Sequence, residues 1–434
     1  MSAKVRNDSN RDTEVLRQPA FRRLWGANGL RYSAGEVAGF ALPITAVLLL
    51  HAGPLEVSLI FAFTRVGYLL FGLPAGVWID RWNKKTVLIC ADVCYALAFG
   101  SVPLAYVLGV LTVGQLLVVA FLESLAGVFF DIAHTSVLPE LMPKRDIADA
   151  NARLQTSENA IQAVSPGIAG FLTQSVAAPL LYLFAAVCHA ASALMVQGIR
   201  VERKVREAVR ESRQSFRRDI TEGLRMSWRQ PFLRLMLVQT SLFNLGIGIL
   251  LATLPVFLLR DVGMSPWVFG LQASLGAVSG VLSSLMCPHL RRRYGEIRMT
   301  LLFAGLAPFV LLAMPFAGVF TTIAVPLAFA AAIGINFVIV GRSVAGAGLR
   351  ARVTPSAYLG RVSAAYIVVT RGATTLGGLS AGLLAHMWST GTALWIAVLE
   401  MALPTVILLR SPLRDQRDLP VEWEVPDEGK KSES

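Results

Sequence analysis

In the stretch GVWIDRWNKKTVL, Gly76 to Leu88, one carboxylate, Asp80, stands among three cations, Arg81, Lys84 and Lys85, between two long apolar runs. Such a knot can make and break ion pairs, but it holds no nucleophile and no metal set. Other ionisable residues lie inside the apolar runs themselves: Glu36, Arg65, Asp92, Glu123, Asp131, Arg371 and Glu400. A charge at membrane depth costs at least about 2.5–3.5 kcal/mol on insertion scales, so each is a functional candidate. The chemistry open to them is ion pairing, proton uptake and release, and capture of a charged ligand group.

Enzyme-like patterns do not survive their context. Gly378-Leu379-Ser380-Ala381-Gly382 fits G-x-S-x-G, but that motif needs a strand–turn–helix elbow, and here it lies within an apolar run of helical length. No GxxxxGK[ST] string occurs, which argues against an ATP-driven pump on this chain. Cys90, Cys94, Cys188 and Cys287 fall in or at the ends of apolar runs and read as small core residues. Cys90 and Cys94 share a helix face, yet no histidine or second cysteine pair lies near enough in sequence to complete a zinc site. The expectation is a protein that is no enzyme and has no cofactor and no metal.

The elements that position these residues follow from composition. Of 434 residues, 54% are hydrophobic and 16% charged, whereas a soluble domain carries about a quarter charged residues. The excess is gathered in runs of about 20 residues, the length a helix needs to cross a bilayer core of about 30 Å. Irregular backbone cannot face lipid, so the runs must be helices. The fold class is an all-α membrane protein with about twelve transmembrane helices. Gly, Pro and charged breaks place them at 24–50, 56–78, 86–109, 113–136, 149–174 and 178–199, then 232–259, 266–287, 297–318, 321–345, 357–385 and 390–410. Residues 1–23 are polar and basic, and the first apolar run lacks a small-residue cleavage site, so it is expected to remain in the mature protein.

Orientation comes from lysine and arginine. With both termini cytoplasmic, the inside segments hold 36 of the 40 basic residues; only Arg260 lies outside, and Arg31, Arg65 and Arg371 lie within spans. This asymmetry predicts a multi-pass protein of the cell membrane with both ends inside. The net charge of +12 is then a topology signal plus attraction to anionic headgroups of the lipid bilayer, and no nucleic acid is expected as partner. Domains are expected at 24–199 and 232–410, with a cytoplasmic N-terminus at 1–23, a basic linker at 200–231 and a tail at 411–434. Within the linker, Val201, Val205, Val209, Phe216, Ile220 and Leu224 recur at helical spacing, which predicts a helix on the inner membrane face.

An internal repeat joins the two domains. Arg17-Gln18-Pro19 recurs as Arg229-Gln230-Pro231, and the same offset carries Pro43 to Pro255, Pro143 to Pro355, and Gly170-Phe171-Leu172 to Gly382-Leu383-Leu384. Two six-helix bundles in the same orientation are the layout of a rocking transporter with its substrate site near midplane, between the halves.

The opening string resembles the signature of the major facilitator superfamily between its second and third helices, G-x-L-a-D-r-x-G-r-k-x-x-l. Gly76, Asp80, Arg81, Lys84, Lys85 and Leu88 match, while Asn83 stands where the family usually has glycine. The resemblance runs from Arg17 to Arg410. RLW (Arg23–Trp25), SAGE (Ser33–Glu36), AGVWIDR (Ala75–Arg81), LPELMP (Leu138–Pro143) and YLGRVSAAY (Tyr358–Tyr366) are similar to the branch of enterobactin exporters and macrolide-efflux permeases. The matching loop of the second half, HLRRRYGEIR, keeps Gly295 but has Arg292 where an acid would align. The resemblance implies a conformational latch at Gly76, Asp80, Arg81, Lys84 and Lys85, with Asp80 near the start of the eleventh helix, where a carboxylate gains about 0.3–1 kcal/mol from the helix dipole. Gly72 with Gly76, and Gly378 with Gly382, are GxxxG pairs that would permit close approach of those two helices. SPGIAG, with Ser165, Pro166 and Gly170, is similar to the G-P-x-x-G-G string of exporting members and marks a kink.

Proton-coupling candidates are Glu36, Arg65 and Asp131. Glu36 and Arg65 each lie 13 residues from a cytoplasmic span end, about 20 Å deep at 1.5 Å per residue, which predicts that they pair. Asp131 and His134, one turn apart, form a candidate relay, whereas Asp92 is expected at headgroup level or against the knot. Tyr32, Asn244, Asn336 and Arg371 are substrate-cavity candidates, Arg371 facing an anionic group; Arg342 is expected to snorkel to the inner surface, and Glu400 to have a structural partner. The functional expectation is a secondary transporter, monomeric, exporting amphipathic small molecules such as an antibiotic, drug or siderophore by exchange with protons. Proton-coupled import of a small metabolite is the alternative.

Overall fold

Twelve helices of 20 residues or more, and one of 14, account for nearly all of the described residues, and no strand occurs among them. The coordinates are a computed structural model that describes residues 18–79, 81–199, 216–420 and 423. In chain order the helices are α1 Pro19–Ile44, α2 Pro54–Ile79, α3 Lys84–Val107, α4 Val113–Leu141, α5 Ile147–Leu172, α6 Ala178–Gln197, α7 Phe216–Arg229, α8 Pro231–Val256, α9 Pro266–Tyr294, α10 Glu296–Val319, α11 Ala324–Val353, α12 Leu359–Met387 and α13 Thr390–Leu409.

Their ends have local causes. Proline occupies the first turn of α1, α6 and α8, where its missing N–H would be unpaired anyway. Side chains cap four starts: Asn83 accepts from the Lys85 amide at 3.1 Å, Thr112 from Gln115 at 3.2 Å, Gln230 from Leu233 at 2.6 Å and Ser389 from Thr392 at 3.1 Å. Pro43 and Pro255 remove a backbone donor near the end of α1 and α8. Just beyond each, the helix widens into a five-residue π turn, Thr45–Leu49 and Phe257–Asp261.

Eleven of the twelve helices of 20 residues or more are long and apolar enough to cross a membrane. The exception among them is α5, expected to be a span like the others. Its 26 residues give about 39 Å of length, but Asp149, Arg153, Glu158, Asn159 and Gln162 make it too polar. Part of that polarity is met by α1: Trp25 donates to Ser157 Oγ at 2.9 Å, and Asn28 donates to Glu158 Oε1 at 2.8 Å.

Helix boundaries repeat. Pro19 and Pro231, Pro54 and Pro266, Lys84 and Glu296, Ile147 and Leu359, and Ala178 and Thr390 open corresponding helices, every pair separated by the offset of the sequence repeat, and the two π turns keep it as well. The chain divides into two compact units. One contains α1–α6 with Met264–Ser274, which includes the first turns of α9; the other contains α7, α8, α9 from Leu275 onward, and α10–α13. In the first unit α1 packs on α5 and α6, α3 on α4 and α6, and α2 on α4. In the second, α8 packs on α12 and α13, α10 on α11 and α13, and α7 on α12.

Of the linker, residues 200–215 lie outside the described residues; its described helix, α7, packs on α12, with Arg361 Nη1 2.8 Å from Glu222 Oε2. In the tail, Leu413 and Leu419 are buried with Phe232 and Tyr366, and the Trp423 ring lies 5.6 Å from that of Phe232. The Ile297 amide donates to Arg417 O at 3.2 Å, so the segment after α13 covers the start of α10.

The tightest crossing lies in the second unit. A Cβ on Gly248 of α8 would sit 2.0 Å from Thr374 O, and one on Gly377 of α12 would sit 2.0 Å from Leu245 O. The small-residue stretch around Gly378 therefore packs on α8 of its own unit, whereas a Cβ on Gly72 or Gly76 would meet nothing within 4 Å. Overpacking of a closed crossing costs about 1–3 kcal/mol or more. Gly248→Ala is expected to lower the thermal midpoint and the monodisperse yield of purified protein. Gly305→Ala, where a Cβ meets nothing within 4 Å, should change neither.

Candidate functional site

The first unit is organised around one guanidinium. Arg31 of α1 donates to Asp131 Oδ1 of α4 at 2.8 Å and lies 3.9 Å above the Phe130 ring. Tyr68 of α2 donates to the other carboxylate oxygen, Asp131 Oδ2. Tyr95 of α3 presents its ring 5.9 Å from the same guanidinium and stacks on His189 of α6 at 4.3 Å. His189 Nδ1 is 2.9 Å from Asp92 Oδ1, and Ser192 Oγ donates to Asp92 Oδ2 at 2.7 Å. Five helices thus meet through one chain of charges, rings and hydroxyls. Asp92, expected at headgroup level or against the knot, is fully buried with His189 and Ser192 as partners. His189 and Tyr68 escaped sequence reading because their partners lie 97 and 63 residues away.

The expected Glu36–Arg65 pair does not form. Glu36 takes a hydrogen bond from Gln162 of α5. Arg65 lies 3.8 Å over the Phe61 ring, donates to Phe61 O at 3.2 Å and to Thr64 Oγ1 at 2.9 Å. The carboxylate in the field of Arg65, and of Arg31, is Glu123 of α4. The reason is azimuth: Glu36 follows Arg31 by five residues, about 140° around the helix, so with Arg31 turned to α4 it turns to α5. Tyr32, beside Arg31, is half-buried. His134 stacks 5.7 Å from Phe130 instead of bonding Asp131.

At the knot, Asp80 lies outside the described residues. Lys84 Nζ reaches Glu140 Oε1 at 2.5 Å and Ser136 O at 3.1 Å. Lys85 Nζ reaches Gln197 O at 2.6 Å and Ile199 O at 2.8 Å, a cation on the last carbonyls of α6. Both lysines are held inside their own unit. Arg81 is exposed and, with Trp82, Cys90, Cys94 and Phe129, lines an apolar cavity of about 620 Å³.

In the second unit, Arg342 of α11, expected to snorkel, is buried. Its guanidinium lies 4.2 Å over the Phe243 ring of α8, and Nη2 donates to Gln239 Oε1. The repeat that carries residue 17 to 229 also carries 31 to 243 and 130 to 342; the cation and ring have changed places between the units. Asn244 bonds Thr240 O at 2.9 Å and accepts from Thr374 at 3.1 Å, while Asn336 bonds Ala332 O at 2.9 Å against Gly276. Both sit at helix–helix contacts. Arg371 is exposed on α12. Around Ser165, Pro166 and Gly170, α5 remains unbroken and receives the first turns of α9: the Gly167 amide donates to Ser274 Oγ at 2.8 Å, and a Cβ on Gly270 would sit 2.3 Å from Pro166 O. No group of three or more metal-ligating side chains occurs among the described residues.

The sequence profile described as Major Facilitator Superfamily matches residues 24–378. The chain belongs to the major facilitator superfamily. Among relatives of this superfamily member, an uncharacterized MFS-type transporter, y4rN of Sinorhizobium fredii, is 29% identical over 357 residues, 80% of this chain and 84% of that protein. Macrolide efflux protein A of Streptococcus pyogenes is 26% identical over 143 residues, 29% of this chain and 35% of the relative. Among solved structures, a bacterial homologue of the iron transporter ferroportin aligns with TM-score 0.72 and 17% identity over 92% of this chain and 99% of that one. A D-xylose–proton symporter aligns with TM-score 0.67 and 12% identity over 92% and 98%. At these identities the structural likeness shows the fold alone.

Removing one partner of an ion pair leaves the other uncompensated, whereas removing both can be nearly neutral; here Arg31 is largely buried and the Asp131 carboxylate is half exposed. Asp131→Asn is expected to destabilise the protein in detergent melts by less than a fully buried pair would, and Arg31→Gln with Asp131→Asn to recover most of that loss. A double-mutant cycle of thermal midpoints measures the coupling.

Proposed function

We propose that this superfamily transporter exports amphipathic small molecules, an antibiotic, drug or siderophore, by alternating access in exchange for protons. The observation that carries the reading is the charge cluster of the first unit, where one carboxylate, Asp131, is neutralised by Arg31 and another, Glu36, takes its hydrogen bond from the neutral Gln162 and has no ion pair among the described residues. Glu36 can take up and release a proton without breaking an ion pair, and a cargo or a helix movement that alters its surroundings couples to that proton. One charge crossing 100 mV supplies about 2.3 kcal/mol, enough for a roughly fiftyfold gradient.

Export rather than import is supported by the similarity to macrolide efflux protein A and by the exporter-like string at Ser165–Gly170. In this reading the protein works as a monomer in the cytoplasmic membrane with both termini inside. Of the knot, Asp80, Arg81 and Gly76 form the latch between states, because Lys84 and Lys85 are engaged within their own unit.

Cells expressing the chain are expected to accumulate less of an amphipathic dye than cells without it. A protonophore should abolish the difference, and Glu36→Gln or Asp80→Asn should largely remove it at equal expression. Unchanged accumulation with well-expressed wild-type protein would overturn the export reading.

A further inference from the structure

Arg342 is a buried cation to which the protein supplies no anion among the described residues. It lies about 5 Å from the midpoint of the 30-residue α11 at 1.5 Å per residue. Its surroundings are the Phe243 ring at 4.2 Å and the Gln239 amide oxygen, both neutral, and its Nη1 is buried with no hydrogen-bond partner. Where the first unit places Asp131 on α4, the repeat places Ser343 on α11. Two turns toward the end of α11, Arg350 likewise rests on a ring, Tyr366 at 4.5 Å, again without a carboxylate among the described residues. Arg31 shows what the same chain does with a guanidinium it neutralises: it adds Asp131 and Tyr68.

A buried guanidinium without a counter-charge is retained at a cost in stability, and an outside anion relieves that cost. A guanidinium also presents planar paired donors that match a carboxylate, sulfonate or phosphate. We infer that Arg342 binds an anionic group of the cargo, so the transported molecules are amphipathic anions, with Phe243 contacting the apolar part beside the charge. This rests on the reading that the chain carries amphipathic small molecules, but it does not depend on direction or on proton coupling.

The test is binding to the purified full chain in phosphatidylcholine nanodiscs, with tryptophan-to-pyrene energy transfer corrected for empty discs. Three probes share one ring system: pyrenebutyrate, pyrenebutanol and pyrenemethylamine. Wild type should prefer pyrenebutyrate. Arg342→Gln should weaken pyrenebutyrate by about thirtyfold or more, the effect of removing one partner of a buried hydrogen-bonded charge pair, and leave pyrenebutanol unchanged, which also shows that the variant is folded. Arg342→Lys should retain part of the preference, and Arg410→Gln, an exposed position just after α13, all of it. Should Arg342→Gln not fold, Arg342→Lys decides: an undiminished anion preference overturns the proposal. So does a wild-type preference for the amine, or no preference. Replacing gluconate by chloride, or adding phosphatidylglycerol, should leave the preference intact; its loss would assign Arg342 to an inorganic ion or a lipid headgroup and overturn the cargo assignment. Loss of dye export in cells with pyrenebutyrate binding intact would count against the export reading alone.

Discussion

A guanidinium at bilayer depth has no water to turn to, and the way this chain meets two of them organises both units. Arg31 is met by a carboxylate and two rings carried on α4 and α3, and the carboxylate is tied in turn to α2. Through Tyr95 the contact passes to the His189–Asp92–Ser192 group and so to α6. Apolar side chains alone give helices little reason to associate in lipid, where tails are as oily as leucine. The polar chain supplies the specificity that hydrophobic burial supplies in water. Arg342 is met only halfway, by a ring and an amide.

The same comparison shows what the repeat preserves. Arg31 over Phe130 becomes Arg342 over Phe243, and Lys84 with Glu140 becomes Arg352 with Glu296 at 2.5 Å, each at the repeat's offset and each with its partners exchanged between helices. A pairwise attraction does not depend on which backbone carries which partner. The helix crossings are therefore kept while the residues are not, which is why the repeat reads as scattered landmarks in the sequence and as matched boundaries in the fold. The superfamily membership, which the knot at Gly76–Leu88 foreshadowed, rests on the sequence profile that matches residues 24–378.

Length and oiliness made the spans legible, because a run of apolar residues has no other stable form in lipid. Azimuth was not legible. Counting residues placed Glu36 and Arg65 at one level, and the turn of about 100° per residue along the helix aimed them at different neighbours. Asp92 was placed near the inner surface from its position early in α3, and it does lie in the third turn after Lys84; its burial comes from α6, which no local pattern announces. Arg342 was read as a snorkelling residue for the same reason, and the repeat offset alone pointed to Phe243 as its partner. The polarity of α5 was visible as composition, but its partners Trp25 and Asn28 lie far back along the chain on α1.

The knot divides its work in a way that its spacing does not reveal. Lys85 sits on the terminal carbonyls of α6, where a cation is favoured by the partial negative charge of the helix end. Lys84 closes onto the end of α4 through Glu140 and Ser136. Neither can leave without uncapping or unpairing part of its own unit, so both brace the unit rather than respond to its surroundings. Arg81 is placed differently, exposed at the mouth of an apolar cavity beside Trp82. A charged string of this kind thus serves two ends at once. The lysines tie α3 to the ends of α4 and α6 within one unit, which leaves Arg81 as the cation of the knot available to the proposed contact at Asp80.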